Sequence, residues 1–126
     1  MAESMNHHSE LVDRGEFLNG MGSYGHLMVG DKAFEFYDEK VSKNYIQIPW
    51  DEVDFLSAEV IFNRWIPRFA FHTKHNGVFR FAARHPFKVL RAVRNHVDPD
   101  RMLRSLSVWD VIKRNVKQAF NRGRNK

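Results

Sequence analysis

The residues of this chain with the clearest capacity for chemistry are the basic side chains of its last third. Residues 1–83 contain 8 Lys and Arg against 12 Asp and Glu, whereas residues 84–126 contain 12 against 3. Clustered cations attract anions, so this segment is expected to bind a membrane, an acidic protein or nucleic acid. The predicted binding residues are Arg84, Lys88, Arg91, Arg94, Arg101, Arg104, Trp109, Ile112, Lys113, Arg114, Val116, Lys117 and Phe120.

The basic segment begins with a predicted helix. Pro86 suits the first turn of a helix, and apolar residues recur at helical spacing from Phe87 to Val97. Four basic residues occupy the other side of this helix, and Arg101 and Arg104 follow it. Together these side chains could receive phosphate groups from a lipid, a phosphoprotein or nucleic acid. The alternative interpretation is an ordinary solvated helix face.

A second helix is predicted from about residue 108 to residue 121. Its apolar residues are three or four positions apart and form a stripe: Trp109, Ile112, Val116 and Phe120. With basic residues off the stripe, such a helix could lie at the surface of an anionic membrane or in the groove of a partner. A third interpretation is that the stripe packs on the protein's own core.

Other reactive side chains give no recognisable catalytic or metal-binding pattern. The chain has 7 histidines and no cysteine. No histidine has the spacing of a metal site, and the residues around each histidine do not identify it as a phosphoacceptor. The acidic cluster from Asp51 to Asp54 is expected to be a solvated turn. Phosphate-binding loops and nucleophile elbows are absent from the sequence. We therefore expect a non-enzymatic protein without metal or cofactor.

The elements before the basic segment are predicted to be short antiparallel strands. Apolar and polar residues alternate between Tyr24 and Ala83, and Asn76-Gly77 indicates a hairpin turn. The chain also uses 11 phenylalanines, which alternate with polar residues as core positions do. The predicted strands cover residues 26–29, 33–37, 45–48, 53–62, 66–73 and 78–83.

These elements predict an α+β fold in which a bent antiparallel barrel of six or seven strands is capped by a helix. Residues 1–23 are expected to form a flexible lead-in, residues 24–98 the barrel with its capping helix, and residues 99–126 a basic helical extension. Neither a secretory signal nor an apolar run of about 18 residues is present. A cytoplasmic protein is expected, and peripheral attachment to the inner face of the membrane stays an open alternative.

Three stretches carry a resemblance to a known family. The first two run from Met28 to Tyr37 (MVGDKAFEFY) and from Tyr45 to Asp54 (YIQIPWDEVD), and the third lies between Asp100 and Arg114. They resemble the ManO family of small bacterial proteins, whose genes lie beside those of mannose-class sugar phosphotransferase permeases. The order of strands and helix is separately similar to that of pleckstrin-homology and GRAM-like domains. The ManO resemblance implies a role in sugar uptake or its control, and it supplies no catalytic residues.

The sequence thus predicts a regulatory or accessory protein of such a permease, attached to the cytoplasmic face of the membrane by its basic C-terminal helix. The partners would be permease subunits or the anionic membrane surface. The competing hypothesis is a nucleic-acid-binding regulator of gene expression that uses the same basic residues.

Overall fold

A computed structural model describes residues 3–105 of the chain. The strands are β1 (Ser9–Phe17), β2 (Ser23–Gly30), β3 (Ala33–Asp38), β4 (Tyr45–Pro49), β5 (Val53–Ile61), β6 (Trp65–Thr73), β7 (Val78–Ala83) and β8 (Met102–Ser105). One α-helix, α1 (Pro86–Val93), follows β7, and single 3₁₀ turns occur at Trp50–Glu52 and Pro99–Arg101. The predicted strands after residue 24 match β2 to β7 in position.

All eight strands belong to one open sheet in the order β4-β3-β2-β1-β7-β6-β5-β8. The sheet consists of two antiparallel meanders, β1 to β4 and β5 to β7, which are joined by a seam between β1 and β7. Only three residue pairs make the seam, from Gly15 opposite Ala83 to Phe17 opposite Phe81. β8 then pairs in parallel with β5, so the sheet is mixed. The prediction of an antiparallel, pleckstrin-homology-like barrel of six or seven strands is therefore wrong.

The sheet bends so that its two meanders face each other. Phe34 of β3 and Phe71 of β6 are separated by three strands in the sheet order, yet their ring centroids lie 4.3 Å apart. The sheet remains open because its two edge strands, β4 and β8, do not pair with each other. A cleft of about 400 Å³ lies beside β4 and is also lined by Thr73, Asn76 and Phe79. Pro49 at the end of β4 also lacks the backbone N–H that further pairing would need.

Aromatic rings fill the space between the two meanders. The alternation of the strands places five phenylalanines on the inner face, all with exposed fractions of 2% or less: Phe34, Phe36, Phe69, Phe71 and Phe81. Val89, Leu90 and Val93 of α1 are buried against the same core. The helix thereby covers apolar surface that the bent sheet alone would leave exposed to water.

The first residues of the chain cover the outer face of β3. Residues 4–8, here named the N-terminal strap, lie across the β2–β3 hairpin. The Asn6 side chain accepts hydrogen bonds from the backbone N–H groups of Lys32 and Ala33 and donates to the Ala33 carbonyl oxygen. Residues 9–17 then form β1. Instead of the flexible lead-in expected for residues 1–23, the described part of this segment contributes a strand and a packed strap.

Beyond α1, the described chain contains no second helix. Asp98 caps the 3₁₀ turn by accepting a hydrogen bond from the Asp100 N–H. From Met102 to Ser105 the backbone is extended as β8, so the helical extension predicted from residue 99 is wrong over this stretch. The predicted helix of residues 108–121 lies outside the described residues.

Candidate functional site

The structure places four of the predicted binding residues within or directly beside α1: Lys88 and Arg91 belong to the helix, Arg94 is its C-cap, and Arg84 lies two residues before its start. Val89, Leu90 and Val93 turn one side of the helix toward the core. The spacing of the remaining positions places the basic side chains on the outer side, and all of them are exposed. We name this surface the basic face; its residues are Arg84, Lys88, Arg91 and Arg94.

The basic face carries its charges without carboxylate partners. Within residues 3–105 the ion pairs of arginine join Arg14 to Glu39 and Arg68 to Glu59, and none involves the four residues of the basic face. Each of their head groups is therefore open to an external anion. Guanidinium groups match phosphate oxygens in a two-pronged geometry, which makes phosphate the natural ligand class for this surface.

The other predicted basic residues lie elsewhere. Arg101 belongs to the second 3₁₀ turn and is exposed. Arg104 extends from β8 to the β5–β6 turn, where its guanidinium donates to the Asn63 side-chain oxygen at 2.7 Å. The remaining predicted residues, from Trp109 to Phe120, lie outside the described part of the chain. Lys88 and Arg91 are thus exposed on α1, with Arg94 at its C-cap and Arg84 just before it, whereas Arg104 lies apart from them.

An apolar surface lies at the β5–β6 turn and the start of α1. Two consecutive turn residues, Phe62 and Asn63, have positive φ values of 54° and 57°, which is rare for a bulky side chain such as phenylalanine. Trp65 is 62% exposed and packs edge-on against Phe62, with ring centroids 6.4 Å apart. We name this surface the apolar patch; its residues are Ile61, Phe62, Trp65, Ile66, Pro67 and Phe87.

All residues of the apolar patch except Phe62 line a cleft of about 470 Å³ between the turn and the helix, together with Arg64 and Pro86. Phe87 reaches the cleft from α1 and is 50% exposed. Since Phe87 and Lys88 are adjacent in the helix, the apolar patch and the basic face meet there. The sequence analysis did not find this surface, because Phe87 was assigned to the core side of its helix and Phe62 to the end of a strand.

Asp13, which is buried, and His85, whose side chain is half exposed, form a contact that fixes the start of α1. The Asp13 carboxylate accepts a hydrogen bond from the His85 backbone N–H at 2.7 Å and lies 2.9 Å from its ring Nδ1. Burial alone would raise the pKa of Asp13, but these hydrogen bonds outweigh it and lower the pKa. Because an ionised carboxylate only accepts, Nδ1 carries a proton, and in the neutral ring Nε2 is the unprotonated nitrogen. The contact holds the basic face in a fixed orientation relative to β1.

Two other histidines are also held by specific contacts. His72 lies on β6, stacks on Phe55 with ring centroids 4.0 Å apart, and contacts the Ser57 hydroxyl at 2.8 Å. Burial, together with the charge of Arg80, lowers the pKa of His72. His96 stacks on Trp50 with a centroid distance of 4.6 Å.

The Ser57–His72 contact could in principle activate a nucleophile, but the orienting group is missing. Nucleophilic pairs of this kind use a third group that holds the histidine. Within residues 3–105, the hydrogen bonds of the His72 ring include none to a carboxylate. The same range contains no group of three or more His, Asp or Glu residues that could hold a metal ion. No helix in it has the length and apolar character to span a membrane.

Comparison with known proteins identifies the family of this chain. The family model described as a domain of unknown function, DUF956, matches residues 1–116. The chain belongs to the DUF956 family. The match covers the strap, the whole sheet and α1, so the features described above lie inside the family's domain.

Solved structures show a related fold. The C-terminal domain of an unknown protein from Leishmania infantum has a TM-score of 0.62 and 11% sequence identity; the similarity covers 70% of this chain and 82% of that one. At this identity the likeness concerns the fold alone. No curated protein matches the chain.

Proposed function

We propose that this DUF956 protein is a non-enzymatic accessory module of a mannose-class sugar phosphotransferase permease. In this proposal it docks on the anionic cytoplasmic surface of the membrane through the basic face. The supporting observation is that Arg84, Lys88, Arg91 and Arg94 are exposed within and directly beside α1, without carboxylate partners in the described chain.

The size of the expected attraction supports a weak, salt-dependent attachment. A basic side chain near an anionic membrane contributes about 1 kcal/mol. Four such residues would contribute about 4 kcal/mol together, which corresponds to a roughly thousandfold gain in partitioning.

The link to a permease comes from the ManO resemblance and concerns a different part of the molecule. The run from Met28 to Tyr37 forms the β2–β3 hairpin, and the run from Tyr45 to Asp54 forms β4, the first 3₁₀ turn and the start of β5. These residues build the scaffold beneath the strap. The resemblance therefore supports the biological setting of the proposal, while the basic face supports its physical mechanism.

The test is co-sedimentation of the full chain with vesicles of neutral lipid and about 30% phosphatidylserine or phosphatidylglycerol. We expect Arg84→Gln, Lys88→Gln, Arg91→Gln and Arg94→Gln in one protein to abolish binding. A matched control removes the same total charge from exposed residues away from α1: Lys40→Gln, Lys43→Gln, Lys74→Gln and Arg80→Gln. The control protein is expected to keep most of its binding.

Two results would overturn the proposal. Equal loss of binding in both variants would mean that vesicles respond to net charge and not to the basic face. Salt-dependent binding to duplex DNA or RNA, lost in the α1 variant and unaccompanied by vesicle binding, would favour the competing nucleic-acid hypothesis. Recovery of permease subunits with the wild-type chain from solubilised membranes, and not with the α1 variant, would support the proposed partner.

A further inference from the structure

We propose that the apolar patch is a docking site for residues 106–126 of the same chain. The contact would be made by the apolar stripe of Trp109, Ile112, Val116 and Phe120. This inference goes beyond the proposed function and does not depend on it, because it concerns how the chain covers its own surface.

The patch itself has the character of an interface. Trp65 is 62% and Phe87 50% exposed, and they line the same cleft of about 470 Å³. Contiguous exposed aromatic and aliphatic groups of this kind mark sites that another surface covers. Phe62 adds a ring held in a left-handed backbone conformation, which is rare for a bulky side chain and tends to persist at binding sites.

The direction of the last described strand leads the chain to the patch. β8 runs parallel to β5, with Met102 opposite Leu56 and Ser105 opposite Glu59. Continuing in that direction, the chain leaves β8 at the end of the sheet where β5 reaches Ile61. Trp109 is four residues beyond Ser105, a span of at most about 14 Å for extended backbone. The first stripe residue can therefore reach the patch without a long connection.

The composition of the segment complements the patch. Its four stripe residues are apolar and three or four positions apart, as a contact along one side of a segment requires. The DUF956 match continues past Ser105 to residue 116, so the family's domain includes three of the four stripe residues. A tail that merely followed the domain would have no reason to lie inside the match.

Docking in this position would also bring charge to α1. Phe87 belongs to both the patch and the helix that carries the basic face, and Lys113, Arg114 and Lys117 lie between the stripe residues. The docked segment would enlarge the basic face with these cations. The apolar stripe would then be used within the molecule instead of being inserted into a membrane.

Disulfide trapping tests the inference, because the natural chain has no cysteine. The full chain carrying Trp65→Cys and Ile112→Cys is oxidised in dilute buffer without vesicles. We expect most of the protein to form an intramolecular disulfide and remain a monomer, since the two sulfurs must approach within bonding distance. The control pairs Ile112→Cys with Met21→Cys; Met21 is fully exposed in the β1–β2 turn, at the opposite end of the strands. This control is expected to crosslink at least tenfold less.

Three outcomes would overturn the inference. Crosslinked dimers would identify a second copy as the occupant of the patch. Equal crosslinking in the control would show no preferred docking site, and crosslinking only after anionic vesicles are added would make the docked form a product of the membrane. A second measurement uses Ile112→Asp in the full chain, for which we expect several-fold higher binding of a hydrophobic dye; unchanged dye binding would also contradict the inference.

All these measurements separate the inference from the proposed function. The crosslink and the dye signal are read without lipid, whereas the vesicle assay tests Arg84, Lys88, Arg91 and Arg94. Loss of vesicle binding in the α1 variant would leave the crosslink unchanged, and absence of the crosslink would leave the vesicle result unchanged.

Discussion

Glu35 and Arg91 lie in two polar regions of the molecule whose charges have opposite surroundings. Glu35 is fully buried beneath the strap, and its carboxylate accepts hydrogen bonds from five neutral donors: Ser4 Oγ, the Met5 backbone N–H, Asn6 Nδ2, the Tyr37 hydroxyl and Gln47 Nε2. Arg91 is exposed on α1 and has no carboxylate partner within residues 3–105.

The contrast distinguishes a charge that holds the fold from charges that remain available for binding. Burial alone would raise the pKa of Glu35, but hydrogen bonds from Ser4, Tyr37, Met5 and Gln47 outweigh it and lower the pKa. The carboxylate is therefore ionised at neutral pH, and its oxygens accept hydrogen bonds from groups of the protein itself. The guanidinium groups of α1 contribute little to the fold, so their clustering is better explained by an external anion.

The largest effect is expected at Glu35. Glu35→Ala leaves several buried donors without an acceptor, and we expect the free energy of unfolding to fall by about 3 kcal/mol. Urea denaturation monitored by tryptophan fluorescence measures this change. The control is Glu39→Ala, which removes an exposed carboxylate paired with Arg14 and should change stability by less than about 0.5 kcal/mol. A Glu35 effect as small as that of Glu39 would contradict the structural role of the strap.

The next effect is expected where the strap meets the β2–β3 hairpin. A Cβ atom at Gly30 would lie 2.1 Å from the Asn6 Cγ, so Gly30→Ala must displace the strap. We expect a loss of about 2 kcal/mol in the free energy of unfolding. Asn6→Ala provides the second arm of a double-mutant cycle, because it removes the clash: the effect of Gly30→Ala should shrink in that background. Additive effects would show that the two residues do not meet.

A third test uses pH. Because the folded-state pKa of Glu35 is lower than its unfolded value, ionisation of this group stabilises the fold above about pH 4.3, and that stability is lost as pH falls through the folded pKa. Glu35→Gln should therefore flatten the dependence of the unfolding free energy on pH between about pH 5 and 3. Glu39→Gln controls for the change in net charge. If the unfolding free energy of Glu35→Gln depended on pH as steeply as that of the wild type, Glu35 would not contribute to the acid sensitivity of the protein.

The smallest effect on stability is expected on the basic face. Arg91→Gln should change the free energy of unfolding by less than about 0.5 kcal/mol, because the side chain is exposed and makes no ion pair in the described chain. Its affinity for anionic vesicles should nevertheless fall about fivefold, as the loss of one cation near such a surface implies. Lys43→Gln is the matched control. Destabilisation above about 1 kcal/mol would mean that Arg91, like Glu35, stabilises the fold.

Local sequence patterns located the elements well. Period-two alternation identified β2 to β7, and Gly77, with a φ of 80°, lies in the β6–β7 turn that Asn76-Gly77 predicted. The helix beginning at Pro86 was also found; Leu90 and Val93 lie on its buried side as predicted, whereas Phe87 is half exposed. These features depend on contacts between residues that are close in sequence, so a short window contains the necessary information.

Long-range features were missed for the opposite reason. β8 has only four residues, too few to show a period, and its pairing partner is β5. Asp13 and His85 are 72 positions apart, and neither has a neighbour that marks the contact. Whether the sheet closes depends on the pairing of its two edge strands, β4 and β8, which no single segment determines. The apolar patch was missed because the alternation does not reveal that Phe62 sits in the turn after β5.

The three-residue seam between β1 and β7 has a consequence for how the protein reaches its native state. Each meander forms from hairpins of neighbouring strands, whereas the seam joins Gly15 to Ala83, across more than half of the chain. Closing so long a loop is slow, so docking of the two preformed halves should limit the folding rate. Gly15 leaves no space for a methyl group, since a Cβ there would lie 2.5 Å from the Ala82 carbonyl oxygen. One small residue thereby controls the step at which two half-sheets become a single cooperative unit.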